Sequence, residues 1–271
     1  MRGSDILIVI PNLLQQKGAR KIYFRFLYKM FSRAYNRALM ITGTSQAQLD
    51  KAKALFKLEN VGLIRTGVDV DKIDAITNDD LIPEVLRGKS FVLSPRFMSP
   101  IYNIALQIEA IRYLDQNRID NYTFVFIRGK NYDKVYYEQQ KEKLEVLRNT
   151  YNLKFVILEY VDQETIWMLM KRAALCMMTP ISDGTPNSAF EAMAAKCPLI
   201  ISDLEQYEEL LFNAESVKKV PLSEPEILAQ TIENMLDSDT SSQRNFAFEI
   251  VSNHGNRSKE MERLERLYND L

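Results

Sequence analysis

The sequence predicts an α/β fold with a doubly wound parallel sheet. Between residues 85 and 240, short apolar runs typical of strands alternate with longer segments that have helical spacing. The strand runs are almost entirely apolar, as in parallel strands that helices cover on both faces. The chain has 271 residues, of which 46% are hydrophobic and 26% charged, which is enough for two compact domains or one large domain.

Five strands and five helices are predicted in this region, in alternating order. The strands cover residues 90–94, 122–127, 154–158, 174–178 and 198–201. The helices cover residues 104–114, 133–151, 163–172, 188–195 and 225–236. Because helices separate most of the successive strands, we expect crossover connections and a parallel sheet.

The first 75 residues hold fewer elements than an independent doubly wound domain needs. They contain predicted strands at 5–10, 38–42 and 61–65, a basic helix over 17–37 and a helix over 46–58. We therefore expect a truncated α/β remnant of an N-terminal domain over 1–75 and the doubly wound domain over 76–245. The last segment, 246–271, is predicted to be a helix that packs back toward the N-terminal part.

The composition bears on several classes of protein. The net charge of −1 is not the balance of a nucleic-acid-binding protein. No apolar run approaches the roughly 20 residues that a membrane span needs, and we expect no secretory signal. Cys176 and Cys197 lack metal-ligand spacing, so we expect buried free thiols in a reducing cytoplasm. The single histidine, His254, is predicted to be a solvated turn residue.

The basic helix over 17–37 allows three interpretations. Basic residues recur every four positions from Lys17 to Arg37 with aromatic residues between them, and no acidic residue occurs between Asp5 and Asp50. The helix could lie on a membrane surface and be attracted to anionic lipid. It could instead be a solvated helix whose aromatic residues pack on the sheet, or a surface that another domain covers.

The most informative segment follows the fourth predicted strand. Asp183 and Glu191 stand eight positions apart, on either side of a glycine, a proline and small polar residues. A strand, a tight turn and a helix start form the place where open α/β sheets bind ligands. Asn187 or Ser188 is predicted to cap this helix, whose free N–H groups would bind phosphate. A carboxylate on each side of the phosphate site could accept hydrogen bonds from sugar hydroxyl groups, so the site would suit a nucleotide sugar. The alternative is an ordinary α/β loop, in which Asp183 caps the helix and Glu191 lies on the surface.

This segment resembles the acidic-x7-acidic signature of the family 4 retaining glycosyltransferases, which have the two-domain GT-B fold. Further matches run from about residue 3 to the C-terminus and are strongest over 173–203; they include Gly3-Ser4-Asp5 and the linker Gly67-Val68-Asp69. The resemblance implies that a Rossmann-like C-terminal domain binds a nucleoside diphosphate sugar. It also implies that the N-terminal acceptor domain is mostly missing. The sugar would pass with retention to a glycan or a lipid-linked acceptor, without a metal or other cofactor.

The resemblance implies a role for each motif residue. Arg96, after the first strand, would neutralise the leaving diphosphate, and Asp183 would stabilise positive charge at the anomeric carbon. Glu191 would bind the ribose hydroxyls. The other donor-binding residues that the resemblance implies are Gly184, Thr185, Pro186, Asn187, Ser188, Arg128, Gly129, Tyr160 and Val161. From the residues alone, Arg96 could also be a surface arginine and Tyr160 a packing residue.

The sequence departs from the family pattern at two positions of the doubly wound domain. The family usually has a second diphosphate cation five residues after the arginine, where this chain has Ile101. Lys196 replaces the glycine that usually ends the helix after the acidic motif. The glycine-rich loop and the histidine of the family's N-terminal domain have no counterpart here.

Three functions remain open from the sequence. The first is a glycosyltransferase whose activity needs a missing or partner half. The second is a non-catalytic nucleotide-sugar-binding pseudoenzyme or assembly subunit, and the third is another doubly wound nucleotide enzyme, such as a sugar-nucleotide epimerase. A cytoplasmic location is expected, with peripheral attachment to the inner membrane face and a homodimer or partner chain as alternatives.

Overall fold

The structure is a computed structural model in which most of the chain is described. The described residues are 10, 13, 15, 17–130, 132–184, 186–205, 207, 208 and 210–270. The predicted strand at 5–10 therefore lies outside the described residues except for Ile10, and Thr185 of the acidic motif lies outside them too.

A six-stranded parallel sheet forms the centre of the molecule. Its strands are β3 (Phe91–Phe97), β4 (Thr123–Ile127), β5 (Phe155–Leu158), β6 (Leu175–Met178), β7 (Leu199–Ser202) and β8 (Lys218–Val220). The spatial order is β5-β4-β3-β6-β7-β8, and every neighbouring pair is parallel. The predicted doubly wound α/β fold is confirmed.

Helices cover both faces of this sheet. The helices that follow β2 in the chain are α3 (Val70–Ala75), α4 (Ile104–Ile111), α5 (Gln116–Asn121), α6 (Lys134–Tyr151), α7 (Gln163–Arg172), α8 (Asn187–Ala194), α9 (Pro225–Asp237), α10 (Ser241–His254) and α11 (Arg257–Asn269). Because successive strand residues point to opposite faces, Phe91 and Leu93 join one apolar cluster while Val92 joins the other. Both cysteines are buried free thiols, as predicted.

The described residues of the N-terminal part include two complete strands and two complete helices. They are α1 (Ala19–Tyr35), β1 (Ile41–Gly43), α2 (Gln46–Phe56) and β2 (Val61–Leu63), with β1 and β2 paired in parallel. Among the described residues, no helix is both long enough and apolar enough to cross a membrane.

The C-terminal helices contact the segment that follows β2. The N–H of Arg65 donates to Glu260 Oε2 over 2.8 Å, and the N–H of Val68 donates to the Gly255 carbonyl over 2.8 Å. The N–H of Arg257 donates in return to the Val68 carbonyl over 2.9 Å. These bonds join the end of the chain to the N-terminal part. The three-part division at 75 and 245 itself remains a prediction.

Several predicted elements needed correction. The strand predicted at 38–42 begins at Ile41, because the Asn36 side chain bonds the Ser32 and Phe56 carbonyls and holds a turn after α1. The helix predicted over 104–114 ends at Ile111, and Asp115 caps a separate short helix, α5. Strand β8 and the short helix α3 were missed. The single helix predicted over 246–271 is two helices, because α10 already begins at Ser241 and the chain leaves helical geometry at Gly255 and Asn256 before α11 begins. His254 is the last residue of α10 and is half-buried, so the turn prediction was wrong.

Candidate functional site

The predicted site lies where the winding of the sheet reverses. Strands β4 and β5 extend the sheet on one side of β3, while β7 and β8 extend it on the other side of β6. In open α/β sheets, the crevice at the carboxyl ends of the two central strands is where ligands bind. Here β3 carries Arg96 near its carboxyl end, and the loop that leaves β6 carries Asp183.

Arg96 is aimed into this crevice by an irregular end of β3. Ser94 pairs with Phe126 and Phe97 pairs with Ile127, so Pro95 and Arg96 form a bulge. Bulges of this kind re-aim a side chain and are common beside active sites.

Three groups hold the guanidinium of Arg96. Its Nη1 donates to Ser188 Oγ over 3.0 Å and lies 3.6 Å from Asp183 Oδ2. The guanidinium carbon lies 4.0 Å from the centroid of the Tyr102 ring, in a cation–π contact. The side chain is only 16% exposed. Arg96 is therefore a positioned, partly desolvated cation and not a loose surface arginine.

Asp183 is a largely but not fully buried carboxylate beside this cation. Its side chain is 14% exposed, and Oδ1 accepts from the N–H of Gly184 over 2.8 Å. Burial raises the pKa of the Asp183 carboxyl, and the charge of Arg96 and the Gly184 N–H offset part of that rise. The buried hydroxyl of Tyr207 faces the same carboxylate; burial and this nearby negative charge raise the pKa of Tyr207.

Glu191 lies in α8 and is oriented by α7. Gln163 Nε2 donates to Glu191 Oε1 over 2.8 Å. Burial raises the pKa of Glu191, and four groups offset part of the rise: the Trp167 N–H, the Gln163 amide and the guanidinium groups of Arg96 and Arg257. The buried Trp167 N–H faces Glu191 without a hydrogen bond of normal geometry. The carboxylate thus has both hydrogen-bond donors and cations around it.

The N-terminus of α8 opens onto the same crevice without a side-chain cap. Pro186 occupies the cap position and, within the described part of the chain, no side chain is found bonded to the first N–H groups. The predicted capping by Asn187 or Ser188 was wrong, because both already belong to the helix. Ser188 Oγ accepts from Arg96 instead, and the buried Asn187 Oδ1 has no hydrogen-bond partner among the described residues. An uncapped N-terminus of this kind can bind an anion.

The remaining predicted residues lie at the carboxyl ends of β4 and β5. Gly129 has φ +73°, and a Cβ there would stand 2.4 Å from Phe97 Cβ, so this position requires glycine. Arg128 pairs with Glu159 over 3.1 Å. Tyr160 is 56% exposed and stacks with the ammonium group of Lys130 at 4.0 Å. A packing role for Tyr160 is therefore excluded.

Val161 and Ile101 lie in two different loops, which follow β5 and β3 respectively. Val161 follows Tyr160 in the loop between β5 and α7 and is half-buried. Ile101 lies in a short 3-10 turn, where its carbonyl accepts from the Ile181 N–H over 2.9 Å. The loops after β3 and β6 are thus joined at the position where the family pattern usually has a second cation.

Sequence reasoning missed five residues that surround the two carboxylates and Arg96. They are Tyr102, Gln163, Trp167, Tyr207 and Arg257. A signal existed for one pair, since Gln163 and Trp167 are four apart and so share a face of α7. Arg257 had no such signal, because only tertiary contacts bring α11 to this site.

Residues 76–248 match the model of the family Glycosyl transferases group 1. The chain belongs to this family. A search of curated proteins by sequence gives no match.

Solved glycosyltransferase structures share the fold of this family member. A glycosyltransferase from Rickettsia africae has a TM-score of 0.75 at 15% identity, over 99% of this chain and 80% of its own. Alr3699/HepE of Anabaena, crystallised with UDP-glucose, has a TM-score of 0.74 at 16% identity, over 91% of this chain and 68% of its own. Sucrose-phosphate synthase of Thermosynechococcus elongatus has a TM-score of 0.74 at 17% identity, over 97% and 65%. At these identities the likeness establishes the fold, which is the Rossmann-like sheet of the GT-B class.

Within the described ranges, no three His, Cys, Asp or Glu side chains lie close enough together to hold a metal ion.

Proposed function

We propose that the crevice between β3 and β6 binds a nucleoside diphosphate sugar and that the chain takes part in its transfer, with retention, to a glycan or a lipid-linked acceptor. The observation that carries this proposal is the cluster of Arg96, Ser188 and Asp183 beside the uncapped N-terminus of α8. Family membership and the UDP-glucose bound to the Anabaena relative support it.

Each member of the cluster suits one part of such a donor. The fork of Arg96 and the free N–H groups of α8 match diphosphate oxygens, and the cation stabilises the charge that builds as the bond to the anomeric carbon breaks. Asp183 lies beside this cation, where it would favour positive charge on the sugar. Glu191, held by Gln163, would accept from the ribose hydroxyls. Tyr160 and Val161 would border the base.

A second candidate function is nucleotide-sugar binding without catalysis. The observation that favours it is Ile101, an apolar residue where the resemblance implies a second diphosphate cation. With a single cation, part of whose charge Asp183 already neutralises, the site would bind the donor but stabilise the leaving group less. Catalysis would also need an acceptor side, which a partner chain or a further part of the protein would supply.

Calorimetry with UDP-, GDP- and ADP-glucose tests the binding proposal. One of the three should bind, and Arg96→Gln should weaken it at least about tenfold because a charged hydrogen bond to phosphate is worth roughly 1.5–3 kcal/mol. The matched control is Arg148→Gln on α6, an exposed arginine paired with Glu145. A well-folded chain that binds none of the three nucleotide sugars would contradict the proposal.

Product analysis then separates the two candidates. With the bound donor in hand, release of free sugar or transfer to an added acceptor would show catalysis, and NMR of the anomeric proton would report retention. Donor binding with no turnover, even when acceptor-side candidates are added, would assign the non-catalytic function.

A further inference from the structure

Helix α1 has one apolar face that the protein already buries. Tyr28 stacks on Phe56 of α2 with ring centroids 5.2 Å apart, and its hydroxyl donates to the Leu55 carbonyl. Tyr35 meets the same Phe56 ring edge-on at 5.0 Å. The aromatic residues of this face therefore pack on α2, which attaches the helix to the N-terminal part.

A second apolar stripe on α1 faces solvent. Ile22 is 73% exposed, Tyr23 60%, Phe26 61% and Met30 55%. Ile22, Phe26 and Met30 follow one another at intervals of four, so they and Tyr23 fall within a band of about 100° around the helix. This band lies away from the face that carries Tyr28. Large side chains with this exposure are not explained by packing within the described part of the chain.

The side chains around this stripe are basic. Seven cations lie between residues 17 and 37, and the sequence has no acidic residue from 6 to 49. They are Lys17, Arg20, Lys21, Arg25, Lys29, Arg33 and Arg37. None of them forms an ion pair with any described residue. The stripe thus lies among positive charges that no described acidic side chain pairs with.

We propose that α1 lies in the interface of an anionic lipid membrane, with Ile22, Tyr23, Phe26 and Met30 inserted and the cations at the headgroups. An exposed apolar stripe bordered by Lys and Arg is the pattern of interfacial helices. A protein partner fits less well, because α1 carries no acidic residue that would pair with a basic side chain of the partner and fix a register. The proposal is independent of the donor site, and it differs from a membrane span.

Vesicle flotation of the full chain tests the lipid surface. Vesicles of phosphatidylcholine with 30% phosphatidylglycerol should bind the protein, and pure phosphatidylcholine should not. Arg25→Gln with Lys29→Gln should weaken binding roughly 25-fold, about fivefold for each cation at an anionic surface. The matched control is Lys141→Gln with Lys143→Gln, two exposed lysines on α6.

The apolar part has its own pair of variants. Ile22→Ser with Phe26→Ser should abolish flotation, while Val135→Ser with Val146→Ser should leave it unchanged; the control residues are 69% and 57% exposed on α6. Equal binding of both vesicle types, or of neither, would overturn the proposal. So would light scattering that shows a dimer which only the α1 variants dissociate, since the stripe would then be a contact between copies. Circular dichroism confirms that each variant is folded.

Discussion

The two carboxylates of the site are held in an environment that opposes their charge. Asp183 and Glu191 are both mostly buried, and burial raises the pKa of each. Arg96 lies near both and offsets part of that cost. In such a site, the hydroxyl and phosphate groups of a ligand would replace the hydrogen bonds to water that the carboxylates lose on burial. Without the ligand, the buried charges lower the stability of the fold.

Glu191→Gln should therefore stabilise the protein while it weakens nucleotide binding. Because the pKa of Glu191 is raised in the folded protein, ionised Glu191 lowers the free energy of unfolding. This loss of stability is absent at a pH below the pKa of Glu191 in the unfolded chain, and it is complete once the pH has risen through the pKa in the folded protein. We expect the melting temperature at pH 7.5 to rise by roughly 2–4 °C, the response to about 1 kcal/mol in a chain of this size.

The pH dependence distinguishes this cause from better packing. The difference in melting temperature between Glu191→Gln and the parent should shrink toward zero as the pH falls below about 4.5, where Glu191 is protonated in both states. A difference that persists unchanged at acid pH would show that the carboxylate charge is not its source. Calorimetry with the nucleotide sugar supplies the second readout.

At the scale of elements, the central strands were predictable and the N-terminal ones less so. Strands β4 and β6 are buried along their whole length, and continuous apolar runs mark them clearly. Strand β8 escaped because it is only three residues long and begins Lys218-Lys219. The site was predictable as far as Arg96, Asp183 and Glu191, which share one short motif and one strand end. The groups that orient them come from α7, α11 and the loop after β7, and no local pattern encodes those contacts.

The end of α8 shows how a local mismatch is offset by tertiary contacts. Lys196 has φ +53°, a left-handed conformation that costs a side-chain-bearing residue about 1–2 kcal/mol. Its Nζ lies 3.3 Å from Asp74 Oδ1 and 4.2 Å from the Phe248 ring centroid. Such an exposed ion pair contributes roughly 0.2–1 kcal/mol and the cation–π contact about 0.5–1 kcal/mol. The contacts and the strain are therefore of similar size.

Two substitutions at this position separate the opposing effects. Lys196→Ala keeps the strain and loses both contacts, so we expect it to lower the free energy of unfolding by about 1–2 kcal/mol. Lys196→Gly loses the contacts but relieves the strain, so its cost should be smaller by about 1 kcal/mol. Urea unfolding of the two variants measures this difference. Equal stability of the two would mean that the left-handed backbone is not strained.

At the scale of the whole molecule, a polar network joins three distant parts of the chain. Arg65, which follows β2, is 4% exposed, and its Nη2 lies 2.5 Å from Glu208 Oε2 in the segment after β7. Glu208 Oε1 accepts from the N–H of Gln46 over 3.1 Å, and the Arg65 N–H donates to Glu260 of α11. The N-terminal part is thus joined by the same residues to the sheet domain and to the last helix.

If this network makes the three parts unfold together, Arg65 and Glu208 should be strongly coupled. Arg65→Met should cost about 3 kcal/mol, because it leaves Glu208 partly buried without its cation. The double variant with Glu208→Gln should cost less than Arg65→Met alone, since the unpaired charge is gone and the acceptor for Gln46 remains. The same cycle on the exposed pair Arg148 and Glu145 should give a coupling of no more than about 0.5 kcal/mol.

Two probes show whether the parts unfold together. Trp167, the single tryptophan, reports unfolding of the sheet domain. Hydrogen exchange of the α2 amides reports unfolding of the N-terminal part. If the two probes show unfolding transitions at different denaturant concentrations in the parent protein, the network does not make these parts unfold together.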